Sequence, residues 1–342
     1  MSFLNRILHA LLISSLFLAA FAYPVAASKG TPNSSTFGYG AIIDPLGIDP
    51  QSALNTANQL GLDWIALLLD WEYLQPDASG EMNWSSLDTL IHHAAQQHQS
   101  VLIQIEHAPS WAMQADGPNI ENVKGLVENL AGRYWPSIQA IELFPFTNTR
   151  NAWGAPPNAA HYVTMLQSIK QGLADKDCSI FLISGSLDFT ANQNGDIPAE
   201  QFLNQLYNAG LSKATDLVGL SLSIAAKQND SEPDAESPIK AIETIREIML
   251  ENNHSRGMLW ITHIRIPSGT IMENDTVVWQ LCSQIRSHLY IGTLFLGVMN
   301  DGTAIQEHGR LGWSGMIASP SFLSTISELI AINNGGSATA GT

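Results

Sequence analysis

Trp64-Ile65-Ala66-Leu67-Leu68-Leu69 is followed by a helical stretch, Ser85 to Gln97, and then by Val101-Leu102-Ile103-Gln104-Ile105. Short apolar runs bounded by polar turns and joined by a helix read as parallel strands buried on both faces. The same unit repeats in both directions. Upstream, Phe37 to Ile43 reads as a strand, and Pro50 to Leu60 as a helix capped by Asp49 with Pro50 at its first turn. Downstream, strands are expected at Ile138–Phe144, Ile180–Ile183, Leu217–Leu222, Met258–Thr262 and Ile291–Leu296. Helices are expected at Asn119–Tyr134, Ala159–Ala174, Ala199–Ala209, Pro238–Leu250, Asp275–Ser287 and Ser321–Ile332. Eight such units predict an α/β fold, a single-domain (β/α)8 TIM barrel. The rival is an open doubly wound sheet, which wants a Gly-rich turn after its first strand. Asp44-Pro45-Leu46-Gly47 lacks that glycine spacing.

The ends of the chain read differently. Arg6, the apolar run from Ile7 to Ala22 and the small residues Val25-Ala26-Ala27 spell a signal peptide over residues 1–27. The alternative is an N-terminal anchor, for which the run is short. The barrel is then expected over 28–332, with a loose polar tail at 333–342. Export to the cell surface, the periplasm or the medium follows from the leader, and no later stretch is long enough to span a membrane. Lys and Arg total 15 against 31 Asp and Glu, a net charge of −16 that repels phosphate backbones and argues against nucleic acid. Two cysteines, Cys178 and Cys282, exclude a disulfide-dense scaffold and leave their pairing open.

On this fold, function sits at the C-terminal ends of the strands. Those ends carry Asp70-Trp71-Glu72-Tyr73, Glu106-His107-Ala108-Pro109-Ser110-Trp111, Pro145-Phe146-Thr147-Asn148 with Trp153, then Ser184, Ser186 and Asp188, Ser221 and Ser223, His263 and Arg265, and Asn300-Asp301-Gly302. Aromatic faces stack on sugar rings, and flanking polar groups bind hydroxyls. Trp71, His107, Trp111, Asn148, Trp153 and Asp301 are therefore the expected ligand contacts, against the alternative that the tryptophans cap the core.

The sequence resembles the clan A retaining glycoside hydrolases, the superfamily of cellulases and β-xylosidases. The likeness covers nearly all of the mature chain. It rests on Asp70-Trp71-Glu72-Tyr73-Leu74-Gln75-Pro76 with Gly80, Asn83-Trp84 and Leu87-Asp88, on Ala108-Pro109-Ser110-Trp111-Ala112, and on Ile141-Glu142-Leu143-Phe144 with Trp153 and Tyr162. The resemblance implies a carboxylic acid after strand four and a carboxylate nucleophile after strand seven, ~5–5.5 Å apart. This sequence departs from the pattern at both places, with Phe146 where the acid is expected and His263 where the nucleophile is expected. The family's strand-two Arg falls at Ala66, and its strand-six His and Tyr fall at Ser221 and Ser223.

Glu142 lies four residues before Phe146, so it points inward lower in the barrel and reads as a structural carboxyl. Glu106, Asp188 and Asp301 are the fallback acid–base candidates, as Glu106/Asp301 or Asp188/Asp301 pairs. Glu106, His107, His263 and Asp301 lack the tight spacing of a metal site, and no cofactor is expected. The expectation is an exported barrel that has lost hydrolysis and binds an oligosaccharide, a polysaccharide or a protein partner in the old cleft. The rival is an active glycosidase with a relocated acid–base pair. A structural surface protein with a closed cleft is the third possibility.

Overall fold

The computed structural model describes residues 37–47, 49–191, 193–223, 236–265, 275–299 and 320–333. The expected leader, the loop that carries Asp301 and nearly all of the expected tail lie outside them. Eight parallel strands close a barrel: β1 (Gly38–Ile43), β2 (Trp64–Asp70), β3 (Ser100–Glu106), β4 (Ala140–Leu143), β5 (Phe181–Leu187), β6 (Leu217–Ser223), β7 (Met258–Arg265) and β8 (Ile291–Val298). Each strand pairs with the next, and β8 pairs with β1. The helices between them are α1 (Pro50–Gln59), α2 (Ser85–Gln96), α3 (Ile120–Tyr134), α4 (Ala159–Asp175), α5 (Ala199–Asn208), α6 (Glu236–Glu251) and α7 (Asp275–Ser287), with α8 (Pro320–Asn333) after β8.

Local chemistry starts these helices where the sequence placed them. The Asp49 carboxylate accepts from the Ser52 amide with Pro50 at the first turn, and Asn119 and Asn158 cap α3 and α4 in the same way. Each such cap contributes about 1 kcal/mol. None of the described helices is long and apolar enough to cross a membrane.

Alternation along the strands divides the apolar side chains into two cores. The larger lies between sheet and helices. The smaller fills the floor of the barrel with Ile42, Trp64, Ala66, Leu68, Leu102, Leu217, Trp260 and Phe295. Trp64 and Trp260 meet edge to face with centroids 4.8 Å apart. A Cβ at Gly40 would sit 2.6 Å from the Phe295 ring, so only glycine lets β1 approach that ring.

Two irregularities shape the upper barrel. Pairing of β5 with β6 slips between Ser184 and Leu187, and pairing of β6 with β7 slips between Leu220 and Ser221. In the second, Leu220 pairs with Ile261 and Ser221 with His263, so Thr262 is the extra residue. A bulge re-aims side chains, and here it turns the neighbours Thr262 and His263 into one interior network. The strands also run further than the sequence suggested. β5 continues through Ser184-Gly185-Ser186 to Leu187, and β7 through His263 to Arg265. Ser184, Ser186, Thr262 and His263 in these extensions are polar because they bond inside the barrel.

Candidate functional site

Above the apolar floor lies a buried polar layer contributed by β3, β4, β5 and β7. Glu142 is fully buried, and its carboxylate accepts from Gln104 Nε2 at 2.6 Å, the Ser186 amide at 2.8 Å and Thr262 Oγ1 at 3.0 Å. Burial pushes its acid up to about 7 against the pull of these three donors. His263 is also fully buried. Its Nδ1 lies 3.0 Å from Ser186 Oγ and 3.1 Å from Thr262 Oγ1, and its Nε2 lies 3.3 Å from Gln104 Nε2. With the amide nitrogen donating, Nε2 accepts and the ring proton sits on Nδ1 facing the hydroxyls. Gly219 makes room for this layer, since a Cβ there would lie 2.3 Å from the Ser184 carbonyl and 3.0 Å from Glu142 Oε1.

Phe146 closes the layer from above. It is 4% exposed, and its ring centroid lies 5.0 Å from that of His263. Its backbone adopts a left-handed φ of 64° that non-glycine residues rarely take. The turn holds it there: the Phe146 amide donates to the Ser186 carbonyl, and its carbonyl accepts from the Thr149 amide and hydroxyl. The two positions that the resemblance assigns to acid and nucleophile thus face each other across the barrel top as a phenyl ring and an imidazole. Both His263 nitrogens are engaged, one ring face is covered, and neither residue reaches solvent appreciably. Ala66 and Ser221 are buried too, and Ser223 is half-buried.

The expected aromatic contacts differ in burial. Trp71 and Trp153 present no free face. Each sits on a one-turn helix, Trp71–Leu74 or Arg150–Trp153, that turns its ring back into the core. Trp71 packs edge-on against Trp111, with centroids 5.5 Å apart. Trp153 packs against Phe144 and Tyr162 and donates its indole N–H to the Asp116 carbonyl. Trp111 is partly exposed and donates to the Gln75 carbonyl at 3.1 Å. Asn148 is also buried: its amide donates to the Asp188 and Ile197 carbonyls and its oxygen accepts from the Asp188 amide. Such a residue orders a loop and has little left for a ligand.

Two of the three fallback carboxyls lie among the described residues. Asp188 is buried and accepts from the Thr190 amide and hydroxyl. Glu106 lies beside Asp70 in the β2–β3 register, 3.9 Å from His107 Nδ1. His107, 38% exposed, takes a φ of 48° and directs Nδ1 to Asp70 at 3.2 Å. Asp301 lies outside the described residues, so neither pair that includes it has a geometry here. Among the described residues, no three His, Cys, Asp or Glu side chains are grouped to hold a metal. Cys178 and Cys282 are separate free thiols, and burial pushes Cys282 up to about 12.

Sequence reasoning gave no role to a cleft on the rim after β2. About 590 Å³ in volume, it is lined by Asp70, Glu72, Tyr73, Leu74, Pro76, Glu81 and Asn83. Tyr73 stands 53% exposed in it. The spacing of Trp71 and Leu74 held the signal, because two apolar residues three apart on a helical turn face inward and leave Tyr73 outside.

No protein-family model matches the sequence, and no curated protein matches it significantly. The fold does have solved relatives. A family 39 glycoside hydrolase from Bacteroides cellulosilyticus WH2 superposes with a TM-score of 0.64 at 16% identity, over 86% of this chain and 64% of that one. The chain therefore spans about two thirds of that hydrolase. An endo-β-1,4-mannanase from Thermotoga petrophila gives 0.59 at 13% identity, over 89% and 78% of the two chains. An endo-β-1,4-glucanase from Xanthomonas axonopodis pv. citri gives 0.58 at 11% identity, over 85% and 98%. In fold, this chain is a single-domain (β/α)8 barrel similar to those of these three enzymes.

Proposed function

We propose that this chain is an exported glycoside hydrolase-like barrel that does not carry out retaining hydrolysis and acts by binding carbohydrate at the rim of its C-terminal face. The observation that carries the reading is the buried ring contact between Phe146 and His263. Retaining hydrolysis needs one carboxyl to protonate the leaving oxygen and a second to attack the anomeric carbon. A phenyl ring does neither. A buried imidazole with both nitrogens engaged has no lone pair directed at a sugar.

The filled centre moves any ligand outward. Carbohydrate as the ligand class is supported by the motif resemblance and by the fold shared with a mannanase and a glucanase. Export is supported by the leader-like composition of residues 1–27.

Purified protein, assayed on a panel of aryl β-glycosides, is expected to release no aglycone above a buffer blank. The same preparation is expected to give a binding isotherm on calorimetric titration with at least one oligosaccharide. Turnover that persists through repurification and disappears in Glu106→Gln or Asp301→Asn would establish the relocated acid–base reading instead. Silence towards every saccharide would leave a structural barrel with a closed cleft.

A further inference from the structure

The rim cleft after β2 combines an aromatic platform with one sign of charge. Tyr73 is the most exposed aromatic side chain among the described residues. It is also held firmly. Asp70 caps the Trp71–Leu74 turn by accepting from the Tyr73 amide at 2.9 Å, while Trp71 and Leu74 anchor that turn in the core. The far wall is tied to the same turn, with the Asn83 amide donating to the Leu74 carbonyl. A ligand that stacked on Tyr73 would meet a platform already ordered, so little affinity would be lost to ordering it.

The walls carry Asp70, Glu72 and Glu81, and no Lys or Arg is among the described residues lining the cleft. Asp70 is engaged with His107 at 3.2 Å, while Glu72 and Glu81 are exposed at the mouth. The chain as a whole carries −16. A neutral sugar could use the carboxylates as hydroxyl acceptors, but a ligand with ammonium groups gains charge–charge attraction there and cation–π attraction on the Tyr73 face.

Resting on the reading of this chain as a carbohydrate binder, we infer that the cleft is a subsite for a saccharide bearing free amino groups. The sugar's C–H face lies on Tyr73, and its ammonium is held between Glu72 and Glu81. The site lies on the segment after β2, and neither Phe146 nor His263 lines it.

The test is calorimetric titration of the full chain with a β-1,4-linked glucosamine oligomer in mildly acidic, low-salt buffer. Parallel titrations use the fully N-acetylated oligomer, a cello-oligosaccharide of equal length and an oligolysine of equal charge. The glucosamine oligomer is expected to bind about tenfold or more tightly than the two uncharged saccharides, and to weaken steeply with added salt. Tyr73→Ala should weaken it about fivefold, and Glu72→Gln with Glu81→Gln about tenfold. These residues are exposed, so melting temperatures should hold.

Equal binding of the uncharged saccharides, still sensitive to Tyr73→Ala, would overturn the ammonium assignment and leave the carbohydrate reading standing. Oligolysine binding as tight, with the same sensitivity to these variants, would overturn the saccharide assignment. Glucosamine binding indifferent to all three substitutions would place the site elsewhere and overturn the inference. Failure of every saccharide to bind would remove both the inference and the reading it rests on.

Discussion

Phe146→Ala should be one of the costlier single substitutions at the top of the barrel. The ring is 4% exposed and lies against a fully buried His263. Deleting a buried phenyl ring loses its transfer free energy and leaves a cavity, together about 3–5 kcal/mol. The floor of that cavity is the hydrogen-bonded His263–Ser186–Thr262 layer, which cannot collapse upward without breaking its own bonds. The loss should therefore sit near the upper end. Backbone strain provides an internal control. Phe146 has a φ of 64°, which alanine tolerates poorly and glycine tolerates well. Phe146→Gly should thus be more stable than Phe146→Ala by about 0.5–1 kcal/mol, the reverse of the order expected at an ordinary buried site. Equilibrium urea unfolding of the three proteins, with the slopes compared, measures both differences. A loss below about 1 kcal/mol for alanine, or glycine falling below alanine, would refute the picture of a strained plug over a rigid polar layer.

Glu142→Gln tests that layer through pH. The native acid lies at about 7, above its ordinary 4.5, so the unfolded chain gives up this proton first as pH rises. Between those values the unfolded state binds fewer protons, and the group's contribution to stability falls with rising pH, by about 3 kcal/mol in all. The wild-type minus variant difference in unfolding free energy should slope downward from pH ~4.5 to ~7 and then level off; a flat difference would contradict the burial argument. Trp71→Ala and Trp153→Ala should each cost about 3–5 kcal/mol of stability, because both rings are core, and a variant of either that melted normally yet lost saccharide binding would restore them as ligand contacts. Gly219→Ala forces a Cβ to within 2.3 Å of the Ser184 carbonyl, so a loss of at least ~1–3 kcal/mol is expected in a thermal melt, and an unchanged melt would mean that β5 and β6 are less tightly apposed than described.

Much of the barrel was legible because a strand buried on both faces leaves a plain mark. Trp64–Leu69 is a continuous apolar run and Val101–Ile105 is apolar but for Gln104, and both are strands as read. Legibility faded where strands turn polar. Ser184-Gly185-Ser186 reads as a loop by composition, yet it continues β5, because its groups bond to Gly219, Glu142 and His263 inside the barrel. The tryptophans show the other limit. Position after a strand placed Trp71 and Trp153 in the upper loops, which is correct, but the one-turn helices that fold their rings inward depend on local caps from Asp70 and Thr149. Those caps are short-range hydrogen bonds without a hydrophobic period, so the orientation of the rings was hidden. Facing residues were the least legible of all. Phe146 and His263 are more than a hundred residues apart in sequence and meet only because the barrel closes.

The most direct test of the account is covalent trapping. Retaining glycosidases hold a glycosyl group on a carboxylate midway through the reaction, and activated 2-deoxy-2-fluoroglycosides stall that intermediate. The full chain, incubated with gluco-, manno- and xylo-configured forms and examined by intact mass spectrometry, should keep its unmodified mass in every case, because the position that the sequence resemblance assigns to the nucleophile holds His263 and no carboxylate. A stoichiometric glycosyl adduct mapped by peptide analysis to Glu106, Asp188, Asp301 or any other carboxylate would contradict the account.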